Sequence, residues 1–364
     1  MSTPSPIPTP PPKPPTLAAS RRGSQVPAET QPSQPEAPPG TITIGIETEF
    51  LLRSLGEKST KSQKIQDDGS MKAFASILAE AYNNSVPLPE PRMVNMLASG
   101  PIREHTVWKL VDDSSIKTEK QPWGIEMVSP IFFLMKDSPW RDSIKKTWEF
   151  LKGYYDVTAN ASCSTHVHTS VVGLYSMVQV KRLAQAIIHF EPAFEVLMPP
   201  ERRGNKYAMS NFVDNVTFEF GQISRSDAIN MLEKCGTRLE VVQMMSPNDS
   251  AKFGWNFLPV EKEGFGTAEF RRGAPSVSPG DVFRWVELAT SFLRASIHMG
   301  SAAEIQGFKQ TTEGLKDYLL KRGEGDWTHL EKFFDGVAKG AQEPIPVVVT
   351  EEQKKEQRLL LKQK

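Results

Sequence analysis

The sequence lacks the features that characterise disulfide-rich, nucleic-acid-binding, membrane and secreted proteins. Its 364 residues include only two cysteines, Cys163 and Cys235, too few for a disulfide framework and suited to a reducing compartment. Acidic and basic residues number 43 each, and this balance argues against a nucleic-acid binder, which normally carries a basic excess. No apolar run approaches the roughly 18 residues of a membrane span, and no apolar stretch follows a basic start. These absences predict a cytoplasmic protein that binds neither membranes nor nucleic acid.

Proline is unevenly distributed. Residues 1–40 hold 13 of the 29 prolines and almost no large apolar residue. Such a segment cannot bury enough surface to offset its ordering entropy, so we expect a disordered tail. It is either passive or a ligand for a proline-recognising domain.

The remaining chain mixes strand-like and helix-like patterns. Residues 41–345 are predicted to form one α+β domain whose sheet packs helices on one face and leaves the other face as a cleft, and 346–364 a charged tail or helix. Alternation of apolar and polar residues predicts strands at 41–52, 123–128, 164–172, 252–258 and 266–271. Helical spacing predicts helices at 140–155, 180–197 and 282–293, and helical, charged chain after 311. Asp137 or Ser138 is expected to cap the first of these helices, and Pro192 to kink or divide the second.

Pairs of chemically active residues recur on these strands with a spacing of two. Glu47 and Glu49 leave one face of their strand, and His166 and His168 leave one face of theirs. Glu269 and Arg271 form a third pair, and Glu126 lies in an otherwise apolar strand, where an unpaired charge would be costly. Each pattern alone also fits solvated side chains or a salt bridge.

Together these residues predict a metal site. If the strands are neighbours, carboxylates and imidazoles line one cleft, beside a guanidinium that can grip phosphate. Carboxylate-rich ligand sets favour Mg²⁺ or Mn²⁺ over structural zinc, for which cysteine-rich sets are typical.

The order of the motifs resembles the amidoligase family, within the carboxylate–amine/ammonia ligase superfamily that includes glutamine synthetase and glutamate–cysteine ligase. The resemblance covers about residues 41–300. It is carried by Gly45-x-Glu47-x-Glu49-Phe50, Trp108 with Asp113-x-Ser115, Glu126-x-x-Ser129-Pro130, His166-Val167-His168, Arg203-x-Asn205-x-Tyr207, and Asn256 ahead of Glu269-Phe270-Arg271. It implies a catalytic domain like that of glutamine synthetase, with a mostly antiparallel sheet.

The resemblance also implies roles for these residues. The implied ligands of two or three Mg²⁺ or Mn²⁺ ions are Glu47, Glu49, Glu126 and Glu269, with His166 as a further metal or phosphate contact. Catalytic roles are implied for Glu269, for Arg271, which would hold the γ-phosphate of ATP, and for His168, which would face the substrate or support the ligands. Nucleotide or substrate contacts are implied for Asp113, Arg203 and Asn256.

The implied reaction is ATP-dependent formation of an amide from a small-molecule or peptide carboxylate and an amine, through an acyl phosphate. The sequence has no G-x-x-x-x-G-K-[ST] segment, which excludes a P-loop but not ATP. Three alternatives remain open. They are a metal-dependent hydrolase, a non-catalytic nucleotide-binding scaffold, and an enzyme in which Cys163 is a nucleophile activated by His166 or His168.

Overall fold

The computed structural model describes residues 37–56, 69–100, 105–261, 266–322 and 328–363. The predicted tail therefore lies almost entirely outside the described residues. Among the described residues, no helix combines the length and apolarity needed to cross a bilayer.

Nine described strands form one mixed, mostly antiparallel sheet, in the order β2-β3-β4-β1-β7-β9-β8, with β5 and β6 paired to β1. Only β2 and β3 run parallel to each other. The strands are β1 (Ile42–Ser54), β2 (Met93–Asn95), β3 (Trp108–Val111), β4 (Trp123–Val128), β5 (Phe132–Phe133), β6 (Tyr155–Thr158), β7 (Thr165–Val171), β8 (Trp255–Asn256) and β9 (Ala268–Gly273). The α+β class and the mostly antiparallel sheet agree with the sequence prediction. The predicted strand at 252–258 is shortened to the two residues of β8.

The described helices are α1 (Met71–Ser85), α2 (Met96–Ser99), α3 (Trp140–Tyr154), α4 (Met177–Leu197), α5 (Arg225–Lys234), α6 (Arg238–Met245), α7 (Pro279–Ile297), α8 (Ala302–Gln306), α9 (Thr312–Arg322), α10 (Thr328–Asp335) and α11 (Glu351–Lys362). The predicted side-chain cap of α3 is wrong, because Pro139 occupies the N-cap position and no side chain bonds there. Helix α4 is one element that contains Pro192.

The hydrophobic core joins one face of the sheet to three helices. Phe50 of β1 packs edge-on against Trp148 of α3, with ring centroids 5.6 Å apart. Phe270 of β9 lies 6.0 Å from Phe194 of α4 and 6.2 Å from Trp285 of α7. Because side chains alternate along a strand, burying these rings turns Glu49, Glu269 and the residues in step with them to the opposite face.

A C-terminal strap, residues 342–350, crosses the loop that follows α4. The buried carboxylate of Asp214 accepts hydrogen bonds from the main-chain nitrogens of Val347 (2.6 Å), Val348 (2.8 Å) and Ser210 (2.9 Å). A Cβ built at Gly204, whose φ is +63°, would lie 3.2 Å from Ile345 Cγ2. Segments on both sides of the predicted domain boundary at 345 therefore contact this loop.

Candidate active site

The predicted site residues meet on the face of the sheet opposite the core. Strand register places Glu49 opposite Glu126 on β4, and Glu47 opposite His166 on β7. One step further along β7, His168 stands opposite Glu269 of β9. We call these six residues (Glu47, Glu49, Glu126, His166, His168 and Glu269) the acid–histidine cluster. The condition set by the sequence, that the strands be neighbours, is met.

Glu47 is the centre of this cluster. One of its carboxylate oxygens lies 3.1 Å from His166 Nδ1 and the other 3.0 Å from His168 Nε2. Thr267 Oγ1, 3.0 Å from His168 Nδ1, fixes the other side of that ring. Both imidazoles are therefore oriented by hydrogen bonds.

Glu269 connects the cluster to the nearby arginine. Its carboxylate accepts hydrogen bonds from Asn256 Nδ2 at 2.8 Å and from the guanidinium of Arg271. Its Oε1 lies 3.5 Å from His166 Nδ1 and 3.7 Å from His168 Nε2. Asn256, predicted as a nucleotide or substrate contact, holds the orientation of Glu269 in the structure.

A bulge between β7 and β9 aims Arg271 into the cleft. Thr165 pairs with Gly273 and Val167 pairs with Phe270, so β9 has one residue more than β7 over this stretch. The main-chain nitrogen of Arg271 bonds to Gly254 O at 2.8 Å, and its Nε donates to Tyr207 O at 3.3 Å. The guanidinium is thereby tied to Glu269 on one side and to the loop after α4 on the other.

The electrostatics of the cluster follow from buried acids beside two imidazoles. Burial by itself would raise the pKa of Glu47, but His168 and His166 outweigh it and hold that pKa well below its usual range. Burial raises the pKa of Glu49, and burial with the charges of Glu47 and Glu49 raises the pKa of Glu126 to about 9. The pKa of His168 is raised to about 9, because the charges of Glu47 and Glu269 outweigh its burial.

This donor set fits a divalent cation. Glu47, His168 and Glu269 each offer one ligand atom, and the three atoms lie within 4.8 Å of one another. Hard carboxylate oxygens with one imidazole suit Mg²⁺ or Mn²⁺. The cluster also has more acids than the neighbouring cations neutralise, as the raised pKa of Glu126 indicates. The geometry favours His168 as the imidazole ligand, whereas the sequence analysis proposed His166; which of them binds metal stays a prediction.

Two cavities meet at the cluster. The first, of about 450 Å³, is lined by Glu49 and His166 and by three cations, Arg202, Lys206 and Arg271, and we call it the basic cavity. The second, of about 300 Å³, is lined by Glu47, His168, His105 and Lys109 and by apolar groups that include Ile131, Val128 and Pro259, and we call it the apolar cavity. The two cavities therefore reach the same cluster at different carboxylates, Glu49 in the first and Glu47 in the second.

A family model described as "Putative amidoligase enzyme" matches residues 41–293, more than half of the chain. The protein belongs to the amidoligase family. No individual curated protein matches the chain. The matched segment of this amidoligase contains the whole acid–histidine cluster and every lining residue named above.

Of the two remaining predicted site residues, Asp113 lies at the basic cavity and Arg203 does not. Asp113 lines the basic cavity, close enough for its charge to contribute to the raised pKa of Glu49. Arg203 does not line it. The Arg203 guanidinium donates to Met198 O (3.0 Å), Val196 O (3.3 Å) and Gln342 Oε1 (2.9 Å), so it braces the end of α4.

Cys163 has no histidine partner among the described residues. Its thiol is buried, its pKa is raised by that burial, and its contact is Asn160 Oδ1 at 3.6 Å. His166 Nε2 instead pairs with Ser164 Oγ at 2.7 Å. The arrangement gives no support to a cysteine nucleophile.

Three residues of the site were not predicted from the sequence. Ser164 Oγ donates to Glu49 Oε2 at 2.7 Å, and Thr267 bonds to His168. Arg202 lines the basic cavity. Ser164 is next in step with His166 on the same strand face, so the alternation that identified the histidines could have identified it.

Proposed function

We propose that this amidoligase joins a carboxylate to an amine at the expense of ATP, with Mg²⁺ or Mn²⁺ held by Glu47, His168 and Glu269. The observation that carries the proposal is the position of the acid–histidine cluster between the basic cavity and the apolar cavity. A ligase of this kind must bring a polyanionic nucleotide and an organic acid to one centre. The basic cavity has two arginines and a lysine in its lining, whereas the apolar cavity has one lysine and more apolar side chains.

The basic cavity is the proposed nucleotide site. Arg271 bonds to the proposed metal ligand Glu269 and also to the main-chain oxygen of Tyr207, so its guanidinium connects the cluster to a residue whose aromatic side chain lines the same cavity. Tyr207 is 40% exposed, and Lys206 Nζ lies 5.0 Å from its ring centroid. In a bound metal–nucleotide complex, the carboxylate would hold the metal, the guanidinium would contact the phosphates, and the aromatic ring would stack on the base.

The apolar cavity is the proposed site of the organic substrates. It borders Glu47 and His168, and Gly45 on its wall presents no side chain. A Cβ at Gly45 would lie 3.7 Å from His168 Cβ, an ordinary contact, whereas a larger side chain would occupy the cavity. Small or peptide acids with an aliphatic portion suit such a lining.

The chemistry requires two displacements. The substrate carboxylate attacks the γ-phosphorus of ATP and ADP departs, giving an acyl phosphate; the amine then attacks the acyl carbon, and inorganic phosphate and a proton are released. When bound, the metal would neutralise charge on the phosphate oxygens. Arg271 would stabilise the transferring phosphoryl group, and Glu269, which accepts its hydrogen bond, would fix its position. His168 would hold the metal through Nε2, with its ring oriented by the bond between Nδ1 and Thr267 Oγ1.

Calorimetric titration of Mg-ATP into the full chain tests the proposal. We expect binding that EDTA abolishes and that the double substitution Glu47→Ala, Glu49→Ala removes, because this variant loses two acids of the cluster. The matched control is Glu352→Ala on the exposed face of α11, which should bind as the wild type does. Phosphate release with pairs of acids and amines would then identify the substrates.

A folded wild type that binds no nucleotide would refute the ligase function. Metal binding without nucleotide binding, together with cleavage of ester or amide substrates in the absence of ATP, would instead favour the hydrolase. Nucleotide binding with no phosphate release for any acid and amine pair would favour the scaffold.

A further inference from the structure

We propose that Arg202 is an anion-binding residue of this site and that it contacts the transferring phosphoryl group together with Arg271. The identity of the anion rests on the proposed ATP-dependent function, whereas the existence of an anion site rests on the structure alone. The inference starts from a guanidinium that is buried, lines a cavity and forms no salt bridge with any described residue.

The environment of Arg202 is unusual for a buried arginine. The residue is only 4% exposed, yet it lines the basic cavity. Its Nη2 donates to Arg271 O at 3.2 Å and its Nη1 to Cys163 O at 3.4 Å, both long bonds to neutral carbonyls. Its Nε has no hydrogen-bond partner among the described residues.

The two arginines of β9 each form an ion pair, whereas Arg202, in the turn after α4, does not. Arg271 forms an ion pair with Glu269, and Arg272 forms one with Glu195. No described carboxylate forms a salt bridge with Arg202. Burial lowers its pKa to about 10 although the charge of Glu49 acts in the opposite direction, so the side chain still carries its charge at neutral pH.

A buried charge without a direct ionic partner is costly even with Glu49 nearby, and an arriving anion that contacts the guanidinium reduces that cost. Carbonyl groups offset only part of the desolvation of a guanidinium, whereas a phosphate accepts two parallel N–H bonds from its fork and brings full negative charge. The free protein therefore tolerates an unfavourable charge that becomes favourable when a phosphoryl group enters the basic cavity. Such an arrangement is expected of a binding residue and not of a structural one.

The local chain explains why Arg202, and not its neighbour, faces the cavity. A 3₁₀ turn at Pro200–Arg202 closes with Arg202 N bonded to Pro199 O at 2.9 Å and Arg203 N bonded to Pro200 O at 3.2 Å. The two consecutive guanidinium groups then have different partners. Arg203 reaches back to α4 and the C-terminal strap, which leaves Arg202 to the cavity.

The test compares Arg202→Gln with Arg203→Gln in the full chain, because both remove one positive charge at adjacent positions. Calorimetry would measure affinity for Mg-ATP, for inorganic triphosphate with Mg²⁺, and for adenosine, and thermal unfolding without ligand would measure stability. For Arg202→Gln we expect triphosphate and Mg-ATP affinity to fall roughly 10- to 100-fold, the usual value of a charge-assisted hydrogen bond. Adenosine affinity and the melting temperature should be unchanged or higher. Arg203→Gln should show the reverse, a lower melting temperature with anion affinity within about threefold of wild type.

Arg202→Lys distinguishes the contribution of the positive charge to anion binding from that of the planar guanidinium. It keeps the cation and loses the fork, so we expect an anion affinity between those of the wild type and Arg202→Gln. Anion affinity of Arg202→Gln equal to that of the wild type would overturn the inference, as would a melting temperature that falls as far as that of Arg203→Gln.

The outcomes also distinguish this inference from the proposed function. Arg202-dependent binding of triphosphate without binding of ATP would sustain the anion site and reject the nucleotide. Normal ATP binding by Arg202→Gln would reject the role of Arg202 and leave the ligase intact. Absence of binding of either ligand to the wild type would reject both.

Discussion

Replacing Gly273 by alanine should disturb the active site without touching any of its side chains. Gly273 ends β9 and pairs with Thr165 at the bulge that aims Arg271 into the cleft. A Cβ built at Gly273 would overlap the main-chain oxygen of Thr165, well inside van der Waals contact, and would lie 3.3 Å from Trp285 Cδ2. The tryptophan of α7 therefore blocks movement in one direction, and the neighbouring strand blocks it in another.

The size of the effect follows from this overlap. Carbon and oxygen normally approach no closer than about 3.3 Å, so the ends of β7 and β9 must separate by roughly 1 Å. Overpacking of this kind costs about 1–3 kcal/mol of unfolding free energy. Arg271 lies two residues away, and displacement of a phosphate-binding group by about 1 Å is enough to weaken function as much as 100-fold.

Thermal unfolding and Mg-ATP titration together test the reasoning. Gly273→Ala should unfold at a lower temperature and bind Mg-ATP more weakly. The matched control is Gly153→Ala in α3, where nothing lies within 4 Å of the added Cβ and alanine should stabilise the helix by about 0.5–1 kcal/mol. If Gly273→Ala matched the wild type in both assays, the close approach of the two strands would not be a requirement of the site.

Three further predictions concern the metal, the pH dependence and the loop after α4. Glu269→Gln should weaken Mn²⁺ binding at least about tenfold by calorimetry, since it removes a charged ligand, and an unchanged affinity would exclude Glu269 from the metal site. Burial lowers the pKa of His189 below the usual 6.5, so the unfolded chain takes up a proton that the folded chain does not, and stability is lost as pH falls through the unfolded value. His189→Gln, which can still donate to Phe308 O, should flatten this decline in urea unfolding between about pH 7 and pH 5; an equally steep decline would assign it to other groups. Asp214→Ala leaves two buried main-chain donors and one partly buried donor without an acceptor and should cost about 2–4 kcal/mol in urea unfolding, and a loss below about 1 kcal/mol would mean that water replaces the carboxylate.

Strand alternation made the centre of the site predictable. Because residues two apart in a strand share a face, Glu47 lies with Glu49 and His166 lies with His168. The apolar residues that alternate with them lie on the other face, which must be buried. Strand order was not predictable from these patterns, because pairing of Glu47 with His166 and of His168 with Glu269 depends on which strands become neighbours. The family resemblance implied that these residues share one site, but it did not say which strands pair.

Loop residues were predicted less well than strand residues. Arg202 and Arg203 have the same chemistry and adjacent positions, and only the 3₁₀ turn decides which of them reaches the cavity. The extra residue of β9 at the bulge has no signature in the sequence. The hydrogen bond from Asn256 to Glu269 was also not predictable, because it depends on a strand of only two residues.

The C-terminal strap affects the order in which the protein can mature. Val347 and Val348, which supply two of the three hydrogen bonds to Asp214, are synthesised after the whole segment that matches the family. Chains are made from the N-terminus, at about 5–20 residues per second, so the acid–histidine cluster can assemble several seconds before the loop bearing Arg202 is braced. A chain released before residue 347 would contain every residue of the acid–histidine cluster but would lack two of the three hydrogen bonds to Asp214. Under the proposed function, such a chain would keep its proposed metal ligands while the loop bearing Arg202 lacked this support.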